Sequence, residues 1–162
     1  IRYPRGNAVG TPIKEKPKAI EVGKAKRLKS GSDIDIWAIG TMVADAEELA
    51  SSLREHGIDA GVVNARFVKP LDTVLLAESA QSSRLIVTME DHVTTGGLGS
   101  AVMEALQTAD LHSCPVERIG WPDAFIEHGS SVNKLRDENG LSPQAILERV
   151  IAKFAKVAAL QT

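Results

Sequence analysis

The spacing of apolar residues switches repeatedly between two periods along this chain. Ile34–Ile39 is a β-branched and aromatic run closed by Gly40, the pattern of a buried strand. Met42, Ala46, Leu49 and Leu53 then recur at helical spacing. Thr41 stands at the N-cap position before them, and Gly57 suits the left-handed position after them. The alternation continues downstream. Strands are predicted over Ile58–Ala65, Leu85–Met89 and Val116–Ile119. Helices are predicted from the cap Asp72 to about Ala80 and from about Gly99 to Ala109. After a short helical turn and the Asn139-Gly140 break, Ser142-Pro143 supplies a cap and an N1 proline. The helix they open runs through about Leu160, with a stripe of Ile146, Val150, Phe154 and Val157. Ala19–Leu28 reads as a first strand, ended by the turn at Lys29-Ser30-Gly31-Ser32.

Strands that alternate with helices imply right-handed crossovers and an α/β fold with a mainly parallel sheet between helix layers. In such folds ligands and partners meet the loops at the carboxyl ends of the strands. Those loops are Gly40-Thr41, Arg66–Asp72, Glu90–Ser100 and Gly120–Ser130. Residues 1–18, with Pro4, Pro12 and Pro17 and no periodicity, read as irregular linker.

Composition narrows the class without deciding it. The 162 residues suffice for one α/β domain, and 43% hydrophobic with 25% charged residues excludes wholesale disorder. No apolar run approaches the ~20 residues that span a bilayer, so no membrane association is expected. Cys114 is the one cysteine, which fits a reducing, cytoplasmic setting, and no secretory signal opens the chain. A first residue other than Met leads to the expectation that a segment precedes it. The charge is uneven. Residues 1–31 carry nine Lys or Arg against two acids, a net of +7, while the remainder nets −9. Such a basic strip meets nucleic acid, an anionic substrate or an acidic neighbouring domain. Tyr3 is the one aromatic residue within it, so nucleic acid is not expected.

Three stretches carry candidate chemistry. In Glu90–Ser100, Gly96, Gly97 and Gly99 allow close backbone approach, and the following helix offers free N–H groups to an anion. The G-G-x-G spacing does not make a dinucleotide fingerprint, and a tight strand-to-helix connection packed on another domain is the competing reading. His92, beside Glu90 and Asp91, has the composition of a base with a carboxylate orienter, yet neighbours on an extended segment point apart. His56, His112 and His128 are scattered, and with one Cys they give no metal-ligand spacing. Pro4 biases Tyr3 toward extended backbone, and on a polyproline-like segment Arg2 and Arg5 share a face. A guanidinium pair of that kind clamps phosphate or carboxylate; two solvated arginines on a linker is the alternative.

Four motifs then occur in order: Arg2-Tyr3-Pro4-Arg5-Gly6-Asn7, Arg66–Asp72, Gly96–Ser100 and Trp121–Gly129. With the closing Gly140-Leu141-Ser142-Pro143, they make the whole chain resemble the C-terminal part of the 1-deoxy-D-xylulose-5-phosphate synthases, a transketolase-like family. The resemblance implies that residues 1–20 are the tail of a middle, pyrimidine-binding domain. Residues 21–162 would be a transketolase C-terminal domain, a three-layer α/β unit whose five-stranded, mostly parallel sheet has one antiparallel edge strand. It further implies an intact homodimeric enzyme that uses thiamine diphosphate and Mg²⁺ to join pyruvate to glyceraldehyde 3-phosphate with loss of CO₂. That reaction feeds isoprenoid precursor and thiamine biosynthesis.

By position in the motif, Arg5 matches the family arginine that holds the acceptor's phosphate, with Arg2 a second candidate. The family's Gly-Asp-Gly…Asn diphosphate and metal motif does not occur in this sequence, and its activating glutamate lies upstream. The chain is therefore expected to bind no cofactor or metal and to be inactive alone, serving domain packing and dimerisation with the upstream domains. The alternatives are the C-terminal domain of a related enzyme, such as a 2-oxo-acid dehydrogenase β subunit, or a stand-alone interaction module.

Overall fold

A computed structural model describes residue 16 and residues 18–128 and 131–160. Five strands form one sheet: β1 (Lys26–Lys29), β2 (Ile34–Ala38), β3 (Ala60–Asn64), β4 (Leu85–Val93) and β5 (Val116–Trp121), in the order β1-β3-β2-β4-β5. The β2–β3, β2–β4 and β4–β5 pairs are parallel, and β1 lies antiparallel on β3 as an edge strand. The helices are α1 (Met42–Glu55), α2 (Thr73–Ser82), α3 (Leu98–Thr108), α4 (Val132–Glu138) and α5 (Pro143–Leu160).

Strand periodicity sorts the core into two layers. Ile34, Ile36, Val62, Leu85, Val87 and Met89 face one way and pack with α1 and α5 residues such as Leu49, Leu53, Ile146 and Val150. Trp37, Val63 and Ile86 face the other way, against Leu76 of α2 and Leu98, Val102 and Leu106 of α3. This is the three-layer α/β sandwich expected from the crossover pattern.

Boundaries moved at several places, each for a physical reason. The first strand occupies Lys26–Lys29 rather than Ala19–Leu28, because Gly23 adopts φ +76° in a turn closed by Lys24 N–H donating to the Glu21 carbonyl at 3.3 Å. Strand β4 continues through Val93, well past the expected end at Met89, since Val93 pairs with Trp121 beyond an irregularity in the ladder. β5 accordingly extends to Trp121. Thr41 precedes α1 but makes no side-chain cap and has helical dihedrals. Gly57, at φ +74°, does end α1 as expected, and Asp72 caps α2 by accepting the Leu75 N–H at 3.2 Å.

Both sheet edges are protected. β1 and its approach carry the exposed Lys24 and Lys26, which discourage strand addition. At β5, Arg149 of α5 donates to the Arg118 carbonyl at 2.9 Å and to Glu117 at 2.6 Å.

Candidate functional site at the carboxyl end of the sheet

The four loops named from the sequence do gather at one end of the sheet, where β2, β3, β4 and β5 all terminate. Their side chains are largely committed to one another. Glu90, buried near the end of β4, turns inward and accepts the Leu98 N–H at 2.7 Å and the Gly99 N–H at 2.9 Å. The anion that the N-terminus of α3 attracts is thus this internal carboxylate, so of the two readings of the glycine loop the tight strand-to-helix connection fits and the cradle for an external anion does not. Gly97 is required there because a Cβ would collide with the Glu90 carboxylate. Ser100 completes the staple: its hydroxyl accepts from the Gly96 N–H at 2.9 Å and donates to the Thr94 carbonyl at 3.2 Å. Arg118 donates to that same carbonyl at 3.1 Å.

His92 is not paired with its acidic neighbours. Its Nδ1 lies 2.8 Å from the Val93 carbonyl, while Glu90 points into the α3 layer and Asp91 points away toward α4. The base-and-orienter reading is therefore not supported by the geometry. His56 Nδ1 contacts the Ser52 carbonyl of its own helix at 2.9 Å, and His112 and His128 are exposed. Among the described residues no group of three His, Cys, Asp or Glu is placed to hold a metal. Cys114 is half-buried just before β5, and burial pushes its thiol pKa above the ordinary value, against a weaker opposing hydrogen bond from the Ile86 backbone.

A charged knot that the sequence did not single out lies between β4, α1 and α4. Arg136 of α4 donates to Asp45 of α1 at 3.1 Å, approaches Asp91 at 3.7 Å and contacts the Met42 sulfur at 3.3 Å. Trp121 Nε1 donates to Asp91 at 2.7 Å, so the ends of β4 and β5 join the same knot. A cleft of about 400 Å³ opens beside it, floored by Leu49, Met89, Leu141 and Ile146 and rimmed by Asp45 and Asp137. Phe125, in the loop after β5, is fully exposed. Arg2 and Arg5 lie outside the described residues.

This α/β arrangement, with its antiparallel edge strand and its self-stapled loop after β4, can be compared with known proteins. Residues 23–146 match the family model "Transketolase, C-terminal domain". The chain belongs to that family. Curated relatives named 1-deoxy-D-xylulose-5-phosphate synthase include one from Acidobacterium capsulatum, 47% identical over 160 residues and covering 99% of this chain but 25% of that protein. Another, from Heliobacterium modesticaldum, is 49% identical over 142 residues, covering 88% of this chain and 22% of that protein. The chain therefore spans about a quarter of the length of such relatives, matching their C-terminal part.

Among solved structures, a split-gene transketolase described as an inactive β4 tetramer superposes with TM-score 0.74 at 38% identity, covering 88% of this chain and 45% of that one. Transketolase from Pichia stipitis in complex with sedoheptulose 7-phosphate gives 0.55 at 19% identity over 85% of this chain and 19% of that one, a likeness of fold alone. No described helix is long and apolar enough to cross a membrane.

Proposed function

We propose that this chain is the C-terminal part of a 1-deoxy-D-xylulose-5-phosphate synthase, an enzyme that condenses pyruvate with glyceraldehyde 3-phosphate and releases CO₂. The observation that carries the reading is 47% identity sustained over 160 residues, 99% of this chain, with a protein of that name. Residues 1–20 would be the tail of the preceding domain and 21–162 the third domain. In the intact enzyme thiamine diphosphate would supply the carbanion chemistry, with Mg²⁺ holding its diphosphate.

The described residues do not fit that cofactor. The α3 N-terminus is taken by Glu90, no metal-holding cluster is formed among them, and the sequence has no Gly-Asp-Gly motif. On this reading cofactor chemistry would belong to the rest of the polypeptide. This chain would contribute domain packing, a share of a homodimer interface and the acceptor-phosphate clamp of Arg5, assisted by Arg2. The split-gene transketolase solved as an inactive tetramer supports the view that such a part assembles without turning over.

The test is to express the complete polypeptide that contains this sequence and assay 1-deoxy-D-xylulose 5-phosphate from pyruvate and glyceraldehyde 3-phosphate with thiamine diphosphate and Mg²⁺. Turnover is expected from the complete protein and none from the isolated 162 residues. A complete protein that only transfers two-carbon ketol units between sugars would overturn the assignment.

A further inference from the structure

Strand β5 lies at the edge of the sheet, and its side chains alternate between the two helix layers. Ile119 packs into the layer of α1 and α5. Glu117 faces the same way, held by Arg149 at 2.6 Å and Lys153 at 3.9 Å. Val116 and Arg118 face α3 instead, and Arg118 is half-buried there. Its stem lies against Gly99, where a Cβ would stand 2.7 Å from the arginine Cδ, so α3 has room for this side chain because position 99 is glycine. Nη1 donates to the Thr94 carbonyl at 3.1 Å, which fixes the head of the side chain as well.

No described carboxylate lies within ion-pair distance of that guanidinium. Glu117 is on the other face of the strand, and Glu90 is spent on the α3 amides. A charge drawn partly out of water costs free energy that a counter-charge ordinarily offsets. The Thr94 carbonyl is neutral and occupies one N–H of the fork, leaving the others open. A polar cleft of about 440 Å³ opens beside this head, with Arg149 and Asn139 on its far side. Met103, exposed on α3, and Val116 give it an apolar wall next to the guanidinium. Arg149 is already committed to Glu117 and to the Arg118 carbonyl at 2.9 Å, so the charge left to be met is that of Arg118.

We propose that this cleft binds a small organic carboxylate, whose charged end pairs with Arg118 while its apolar body lies along Met103 and Val116. The planar fork of arginine matches a carboxylate in shape, and a monoanion matches the one uncompensated charge. A phosphate dianion would call for a second uncommitted cation, and Arg149 is spent. Binding would complete the pairing that the fold leaves open, on a side chain already held at its stem and at its head. Little ordering of the protein is then needed when the ligand arrives.

The test takes the complete polypeptide, benzoate as the probe, and hydrogen exchange of residues 94–103 as the local readout. Benzoate is expected to slow exchange there saturably. Benzamide, with the same ring and no charge, should need a concentration higher by about tenfold or more. Arg118→Gln keeps a donor for the Thr94 carbonyl but removes the charge, and should weaken the benzoate effect by about tenfold. Met103→Glu sets a carboxylate in the cleft from an exposed position and should abolish the effect, with exchange of the central strands unchanged. Absence of benzoate protection in the wild type overturns the proposal, as does benzamide acting at the same concentration as benzoate. Protection that survives both substitutions places the probe elsewhere and overturns it too. Phenyl phosphate acting at lower concentration than benzoate would make the ligand a phosphate and overturn the class proposed.

Discussion

Arg27 reaches from β1 across the whole of β3 to meet Asp35 of β2, with Nη1 2.7 Å from one carboxylate oxygen and 2.9 Å from the other. The route exists because Asp35 is in register with Gly61 of β3, where a Cβ would collide with the carboxylate. Asp35 is fully buried. Ser79 of α2 completes the network by accepting from Arg27 Nη2 at 3.2 Å and from Trp37 Nε1 at 3.0 Å, while donating to the Leu75 carbonyl at 3.1 Å. The antiparallel edge strand is thereby pinned to the centre of the sheet.

Removing one partner of a buried pair strands the other charge, so Arg27→Met should cost about 3–5 kcal/mol of folding stability. Gly61→Ala should cost about 1–3 kcal/mol by overpacking the same point. Urea unfolding of the isolated chain reads both. A loss below about 1 kcal/mol for Arg27→Met would mean that Asp35 finds another partner and that the pinning is not real.

Glu90 makes two charge-assisted bonds to the amides of α3, and each such bond contributes roughly 1.5–3 kcal/mol. Glu90→Gln should therefore lower stability by about 2–4 kcal/mol, with the loss concentrated at the start of α3 in hydrogen exchange. Gly97→Ala should do comparable damage, because its methyl would take the space of the carboxylate. The double variant should lose less than the sum, since both changes break one contact. Strict additivity would place the two residues in independent roles.

What could be read from the sequence in these sites depended on distance along the chain. Asp72 was legible as a cap because its partner, the Leu75 amide, is three residues on. Glu90 was not, because its role requires β4 to continue past Met89 and the chain then to return eight residues later. Glu90-Asp91-His92 looked like loop for the same reason: a polar triplet carries no strand periodicity when one member caps a helix and another binds Trp121 and Arg136. The basic strip was read as reaching toward a partner, yet Arg27 spends its charge inside the sheet, on a residue two strands away. Arg136 meets Asp45 across 91 positions of sequence, and no local pattern encodes such a contact. The mainly parallel sheet between helix layers was legible, since short apolar runs and stretches of helical period alternate from Ile34 to Leu160.

Thr88 offers a test in the opposite direction. Its Oγ1 is a buried hydroxyl with no hydrogen-bond partner among the described residues. A buried donor left unsatisfied costs about 1–3 kcal/mol, so the nearly isosteric Thr88→Val should leave stability unchanged or raise it by about 1 kcal/mol. Thermal unfolding checks this. A clear fall in Tm would show that the hydroxyl has a partner in solution.

Helix α4 buries none of its residues, so its position depends heavily on Arg136. Arg136→Met should accelerate amide exchange across Val132–Glu138 while costing the whole fold under about 1 kcal/mol, because these pairs are partly solvated. Added salt should move the wild type in the same direction. Exchange in α4 that ignores both the substitution and salt would mean that the knot does not hold the helix.

On the proposed reading, Arg5 would be the residue that holds the acceptor's phosphate in the intact enzyme. A phosphate held by one guanidinium makes charge-assisted bonds of roughly 1.5–3 kcal/mol each, so Arg5→Ala should lower kcat/KM for glyceraldehyde 3-phosphate by about one to two powers of ten. Unphosphorylated glyceraldehyde never uses the clamp and should suffer much less. If, on the proposed reading, pyruvate is bound and decarboxylated before the acceptor, the first half-reaction should be nearly unchanged. Arg2→Ala serves as the internal comparison, with a smaller effect expected from its weaker match to the motif. The quantity that decides is the ratio of kcat/KM for the two acceptors, in wild type and variant. If Arg5→Ala lowers both acceptors equally, the residue holds structure rather than phosphate, and the clamp must be sought elsewhere in the polypeptide.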